Sequence, residues 1–322
     1  MTTFTHTVES FGDFKKHIFS NKQGDAFEVT PQYGACLLDL RFKGISVLDG
    51  FKTPEELVAN AWSKSAFLYP YPNRLRDGRY TFDGKTYQFA INNADTGNSL
   101  HGFGTADAPM QVKEIKTTNT EAMIHCTWQH DGSHEAYPFR FTFSVKMILR
   151  SQTPNSRGGG EFEIEMSLKN DDSVLIPAGL GWHPYFVMSE IVDDTTLRLP
   201  ESQWIVIDDR MLPTGEKQAY SAFNTLTKIG DTNLDNGFFI TENGTKASVI
   251  LESERGTLQY WQEIGTAKWQ FVQVFTPPDR RSIAIEPMTC NIDAFNNHDG
   301  LVLLAPNVAL GGKFGVRFSQ KT

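Results

Sequence analysis

Phe139-Arg-Phe-Thr-Phe-Ser-Val-Lys-Met-Ile-Leu149 carries an apolar residue at every odd position and mostly polar residues between them. Successive side chains of a strand point to opposite faces, so this period of two describes one dry face and one wet one. The pattern resumes at Phe162, Ile164, Met166 and Leu168, after the turn-rich Thr153-Pro-Asn-Ser-Arg-Gly-Gly-Gly160. Two alternating runs joined by Gly and Asn predict a hairpin. Further short strands are expected at residues 79–82, 86–91, 123–128, 248–251, 258–261 and 271–275, with Gly and Pro between them. Close, regular punctuation of this kind predicts an antiparallel sandwich. Helical signals are scarce. Thr53-Pro-Glu-Glu-Leu-Val-Ala-Asn60 has a Thr cap, a Pro at the first position and acids in the first turn, and predicts one short helix. No linker-like change of composition divides the chain. Residues 1–322 are therefore read as one all-β domain, a large antiparallel β-sandwich with few short helices.

Composition narrows the function. With 39% hydrophobic and 21% charged residues the chain is expected to be a globular protein with a large core. A net charge of −8 argues against nucleic acid as a partner, because phosphate backbones are held by clustered Lys and Arg. The opening Met1-Thr-Thr-Phe-Thr-His-Thr-Val lacks the basic and apolar regions of a secretory leader. No apolar run reaches the ~18 residues of a membrane-spanning helix, so no membrane partner is expected. Cys36, Cys126 and Cys290 are odd in number and far apart, which suggests reduced thiols in the cytoplasm instead of a disulfide frame or a zinc site.

Polar chemistry gathers in four places. Ser282-Ile-Ala-Ile-Glu286 reads as a strand that ends in a carboxylate, with Pro287 expected to end or kink the ladder. A carboxylate held on a rigid strand end suits a general base, although such a Glu is often only solvated. Asn73 and Arg74 follow Tyr71-Pro72 near the turn at Asp77-Gly78. The planar donors of Arg74 suit adjacent oxygens, as in a vicinal diol or a carboxylate, and a surface pair with Asp77 is the alternative. His101 lies in Asn98-Ser-Leu-His-Gly-Phe-Gly104, where glycines would allow close approach of a ligand; a buried His bonded to a carbonyl is the alternative. His183 lies in Ile176-Pro-Ala-Gly-Leu-Gly-Trp-His-Pro-Tyr-Phe186, among aromatic faces of the sort on which sugars stack, or else within an aromatic core cluster. The pair His130 and His134 sits in turn-forming sequence and is read as a solvated hairpin tip, not a metal site. Cys-x-x-Cys, Gly-x-Gly-x-x-Gly after a strand, Gly-Lys-Ser/Thr and Gly-x-Ser-x-Gly are all lacking, which leaves nucleotide and serine-hydrolase chemistry without support.

Taken in order, Asn73-Arg-Leu, Gly78-Arg-Tyr-x-Phe-x-Gly-x-x-Tyr87, Leu100-His-Gly, Gly181-Trp-His-Pro-Tyr-Phe and Glu286-Pro-Met-Thr with Asp293-Ala-Phe-Asn resemble the aldose 1-epimerase, or galactose mutarotase-like, family. The resemblance spans Asn73 to Asn296. It implies a β-sandwich isomerase that interconverts the α and β anomers of a free aldose such as glucose or galactose. Glu286 matches the family's base and His183 its acid. Asn73, Arg74 and His101 match sugar-binding residues, as do Asp235 in Leu234-Asp-Asn-Gly-Phe238 and Gln273 in Gln273-Val-Phe-Thr-Pro277. The expected partner is a small-molecule aldose, the expected assembly a monomer or homodimer; no cofactor such as a nicotinamide or flavin is expected, because no electron moves, and no metal is expected. Where the galactose-specific branch favours His-Ser-Tyr-Phe-Asn-Leu and Thr-Gly, this chain has Gly-Trp-His-Pro-Tyr-Phe and Thr276-Pro277, so the resemblance does not fix the sugar. Glu near its ordinary pKa of about 4.3 and His near about 6.5 would each start in a usable protonation state. An epimerase for hexose 6-phosphates, a non-catalytic sugar-binding protein and a metal enzyme built on His101, His183 and Glu286 are the competing readings.

Overall fold

Phe141–Arg150 and Gly160–Asn170 form the expected hairpin, with Phe141 opposite Asn170 and Leu149 opposite Phe162. Phe141, Phe143, Val145, Met147 and Leu149 are buried while Thr142, Ser144 and Lys146 are half-buried, as the alternation requires. The first strand begins two residues later than its apolar pattern, because the Arg140 N–H donates to the Asp172 carboxylate and not to the ladder. The computed structural model describes residues 3–104, 108–151 and 160–321, so the stretch 152–159 of the connecting turn lies outside the described residues.

This hairpin forms the third and fourth strands of a nine-stranded antiparallel sheet that also contains Glu121–His130, Ala309–Gln320, Gly256–Glu263 and Lys246–Ser253. A second, eight-stranded sheet runs in the order Pro213–Ala219, Ser202–Ile207, Asp235–Ile240, Phe271–Phe275, Ile283–Met288, Gly181–Trp182 and Phe67–Leu68, with Tyr185–Phe186 also on Ile283–Met288. The two sheets pack face to face through aromatic contacts. Trp182 stacks on Phe314 at 5.3 Å, and Phe67 meets Phe143 at 6.2 Å. Such contacts supply much of the apolar burial in a sandwich core.

A five-stranded sheet at the N-terminus, Thr5–Phe11 to Ile45–Ser46, completes the architecture and was not anticipated. Thr5–Phe11 is mostly exposed and Ala26–Thr30 is buried on both faces, so neither shows the period of two. The predicted strands at 79–82 and 271–275 match Arg79–Phe82 and Phe271–Phe275. Those at 123–128, 248–251 and 258–261 lie inside longer strands. The strand expected at 86–91 ends at Gln88, since Phe89 N donates to Gly78 O. The expected helix spans Pro54–Ala59, capped by Thr53 Oγ1, which accepts from Glu56 N at 3.2 Å. Among the described residues no helix is long and apolar enough to cross a membrane. All three cysteines are buried and unpaired, and burial pushes each thiol up to about 12.

Candidate active site

The register of the eight-stranded sheet sets side chains in rows. Gly237 lies opposite Gln273, and Gln273 opposite Glu286. On the other edge of Ile283–Met288, Gly181 pairs with Met288 and Tyr185 with Ala284, which places His183 level with Glu286. Level residues share a face, so Gln273, Glu286 and His183 form one row. Two residues along each strand, and therefore on the same face, Asp235 lies opposite Phe275, Phe275 opposite Ala284, and Ala284 opposite Tyr185. These two rows floor a cavity of about 300 Å³. Gly237 and Ala284 leave it hollow; a Cβ at Gly237 would stand 3.2 Å from Gln273 Oε1.

Pro287 does not end the strand as expected. The ladder with Phe271–Phe275 continues through it to Met288. Thr289 N donates to Leu180 O on the opposite edge, and strand N–H groups alternate sides, so the missing N–H of Pro287 also faces that opposite edge. Pairing is interrupted only there. His183 instead bonds the next strand over, its N to Ala66 O at 2.9 Å and its O from Ser65 N at 2.8 Å. Trp182 turns into the core, and His183 takes the cavity face beside Glu286.

A wall is built from the short pair Arg74–Leu75 and Ser99–Leu100. His101 N donates to Asn73 O at 2.8 Å, and both residues hold left-handed backbone, φ 68° and 56°. Asn73 Oδ1 accepts from the backbone N and Nη1 of Arg74, at 2.9 and 3.1 Å. The surface pairing of Arg74 with Asp77 does not occur; Asp77 pairs with Arg210 at 2.6 Å. Gly102 serves the backbone and not a ligand. A Cβ there would lie 2.3 Å from the Tyr69 carbonyl oxygen, at φ +58°. Gly102→Ala is expected to destabilise the protein by about 1–3 kcal/mol in chemical denaturation. An unchanged midpoint would mean that the turn relaxes.

All seven residues singled out from the sequence, Asn73, Arg74, His101, His183, Asp235, Gln273 and Glu286, line this one cavity. Glu286 is 2% and His183 7% exposed, and Glu286 Oε1 lies 3.5 Å from His183 Nε2. Gln273 Nε2 donates to Asp235 Oδ1 at 2.7 Å. The His101 ring stands edge-on to His183 at 5.2 Å, and Tyr185 stacks flat on His183 at 5.0 Å and 11°. Arg74 Nε, His101 Nδ1, His183 Nδ1, Gln273 Oε1 and Glu286 Oε2 are buried without a hydrogen-bond partner. Buried polar atoms are ordinarily satisfied, so five on the residues around one cavity mark a surface shaped for a polar ligand.

The ordinary protonation states expected from the sequence do not hold here. Burial lifts Glu286 well above the usual carboxylate value, Asp235 adds to this, and Arg74 opposes it. Burial pushes His183 down from 6.5, to about 3. His101 is also held well below its ordinary value, by burial and then by His183 and Arg74. Asp235 is raised by burial against the pull of Arg74 and Gln273. Both shifts favour the uncharged form of the group, the protonated carboxyl at Glu286 and the neutral imidazole at His183.

Trp62, Tyr185 and Phe275 also line the cavity without having been placed there from the sequence. Tyr185 and Phe275 stand two residues beyond His183 and Gln273, a signal the alternation does carry. Trp62 has no such signal, because it belongs to a short loop of left-handed residues. The Asp293 segment braces the wall: Asp293 Oδ1 accepts from Arg76 N at 2.9 Å, and Asp293 N donates to Arg74 O. At the proposed hairpin tip His134 is exposed, whereas His130 is buried with Nε2 3.0 Å from Tyr137 O. Among the described residues no three His, Cys, Asp or Glu side chains are grouped to hold a metal ion.

The sequence profile of the aldose 1-epimerase family matches residues 19–316. This chain belongs to that family. The aldose 1-epimerases are isomerases, and the chain is an enzyme of that class. An uncharacterized protein of Escherichia coli K12, YihR, is 28% identical over 296 residues, covering 87% of this chain and 86% of the relative. The galactose mutarotase of Sus scrofa is 26% identical over 183 residues, 55% of this chain and 49% of that protein. In structure, a galactose mutarotase-like protein from Clostridium acetobutylicum superposes with a TM-score of 0.85 at 20% identity over 99% of both chains, a likeness of fold.

Proposed function

We propose that the protein interconverts the α and β anomers of a free aldose such as glucose or galactose, with Glu286 as base and His183 as acid. The approach of Glu286 Oε1 to His183 Nε2 at 3.5 Å supports this best. The anomeric oxygen O1 and the ring oxygen O5 are bonded to the same carbon, C1, so the groups that exchange protons with them must stand side by side. Ionised Glu286 takes the O1 proton, the C1–O5 bond breaks with its electron pair passing to O5, and His183 gives O5 a proton. Rotation about C1–C2 turns the other carbonyl face, and closure runs the transfers in reverse. Raising the carboxyl's pKa makes its ionised form a stronger base, and lowering that of the imidazole makes its charged form a stronger acid. Asn73, Arg74, His101, Asp235 and Gln273 would bind the hydroxyls, Arg74 donating and Asp235 accepting.

Among the described residues lining the cavity, Arg74 is the one cation beside two carboxyl groups. Arg76 is turned to Asp293 and does not line the cavity. A phosphorylated sugar is therefore poorly matched, and an uncharged aldose is favoured. We propose also that the chain acts as a single domain, since one apolar cluster includes residues from Phe4 to Phe318, and that it works in the cytoplasm, where its unpaired thiols stay reduced.

Polarimetry on freshly dissolved α-D-glucose and α-D-galactose, corrected for spontaneous mutarotation, tests the reading. Acceleration is expected; none with either sugar, nor with other unphosphorylated aldoses, would leave a binding protein. The active pair holds one proton, so kcat/KM is expected to follow a broad bell. Its acid limb should fall well below 6.5, where His183 gains a second proton. Its alkaline limb should fall above the ordinary carboxylate range, where Glu286 loses the shared one. An acid limb near 6.5 would contradict the buried pair.

A further inference from the structure

A second cleft, of about 530 Å³, lies outside the active site and shares no lining residue with it. Its floor is aromatic, with Phe82 edge-on to Phe139 at 5.7 Å. Its sides are aliphatic and wet: Val174 is 51%, Leu175 47% and Leu303 50% exposed. These side chains do not sit on a loose loop that could fold them inward. Ile176–Ala178 pairs with Val302–Leu304, Pro177 opposite Leu303. The buried Asn170 donates its Nδ2 to both Val174 O and Leu304 O, at 2.7 and 2.8 Å. Single apolar residues at a surface need no partner, but three fixed around one aromatic cleft form a patch suited to being covered.

The charges of the cleft indicate what fits it. The chain carries −8 overall, so two copies repel one another over most of their surface. This cleft has one acid and one base, Asp83 and Lys85, on either side of Gly84 in an exposed hairpin turn. Neither forms an ion pair within the chain among the described residues. A face that meets its own copy about a two-fold axis must be its own complement, residue i on j and j on i. One acid beside one base meets that condition, since each can face its opposite across the axis. We propose that a second copy of this chain covers the cleft in an isologous homodimer. The aliphatic sides bury one another, and Asp83 of each copy pairs with Lys85 of the other. The contact uses none of the residues that line the active-site cavity.

Sedimentation equilibrium of the whole chain is expected to give twice the 36.2 kDa of one copy at micromolar concentration. Leu303→Arg and Leu175→Arg should each weaken the dimer about tenfold or more, as loss of a central apolar contact does. Charge reversal gives the finer test. Asp83→Lys or Lys85→Asp alone sets like charges opposite each other and should yield monomers. An equal mixture of the two variants should regain the dimer, because each supplies the charge that the other lacks. A turn merely damaged by substitution would not be restored by mixing. A single-copy mass at every concentration would overturn the proposal, as would a dimer indifferent to these substitutions. Mixed variants that stay monomeric would overturn the pairing of Asp83 with Lys85. A monomer whose cleft binds an apolar dye, lost in Leu303→Arg, would give the cleft to a small apolar ligand and overturn the dimer.

Discussion

Glu286→Gln is expected to lower kcat by about 10²–10⁴-fold, with sugar binding retained, because the amide keeps the shape and loses the titratable oxygen. The same variant is expected to be more stable than the unaltered protein at pH 8. A carboxyl whose folded-state pKa is raised contributes stability that is complete below its unfolded value of 4.5 and lost as pH rises through the folded value. Above that point the fold must hold a buried charge at Glu286, and glutamine relieves it. The difference in melting temperature should shrink as pH falls toward 4.5. A variant that turned over near the normal rate would remove Glu286 as the base. A variant less stable at pH 8 would mean that Arg74 compensates the charge in full.

His183→Gln is expected to cost about 10²–10⁴-fold in kcat as well, and to abolish the acid limb of the pH profile. The sign of its stability effect is the reverse of that at Glu286. An imidazole whose pKa is lowered by burial contributes stability that is present above its ordinary 6.5 and lost as pH falls toward about 3. The variant should therefore resist acid unfolding better than the unaltered protein. Because both transfers belong to the same ring-opening step, the double variant is expected to be little slower than either single one. Losses that multiply would mean that the residues act in separate steps.

The strands at 271–275 and 282–286 were legible from their apolar patterning, and Glu286 and His183 from the polar chemistry around them, whereas Asp235 and Gln273 were singled out by the family resemblance and not by any period. Which strands lie side by side was not legible, since the neighbours of Ile283–Met288 come from about ten residues before it and about a hundred residues before it. The protonation states were hidden for the same reason: Glu286 and Asp235 affect each other only once separate strands are paired. Pro287 illustrates the limit, because its effect depends on which edge its nitrogen faces. Trp62 was invisible, being a single aromatic in a loop whose partners, Tyr185 and Phe275, are more than a hundred residues away.

The two sheet rows and the rim loop divide heredity as well as space. A one-residue insertion in Phe271–Phe275 or Ile283–Met288 would turn Gln273 or Glu286 to the opposite face, so drift in those strands is confined to substitution. The segment around Trp62 has no such register to keep. Libraries that vary the sequence of residues 61–63, leaving Asn60 as helix cap and Ser65 bonded to His183, should yield folded enzymes with altered sugar choice at high frequency, whereas length changes in either floor strand should yield none.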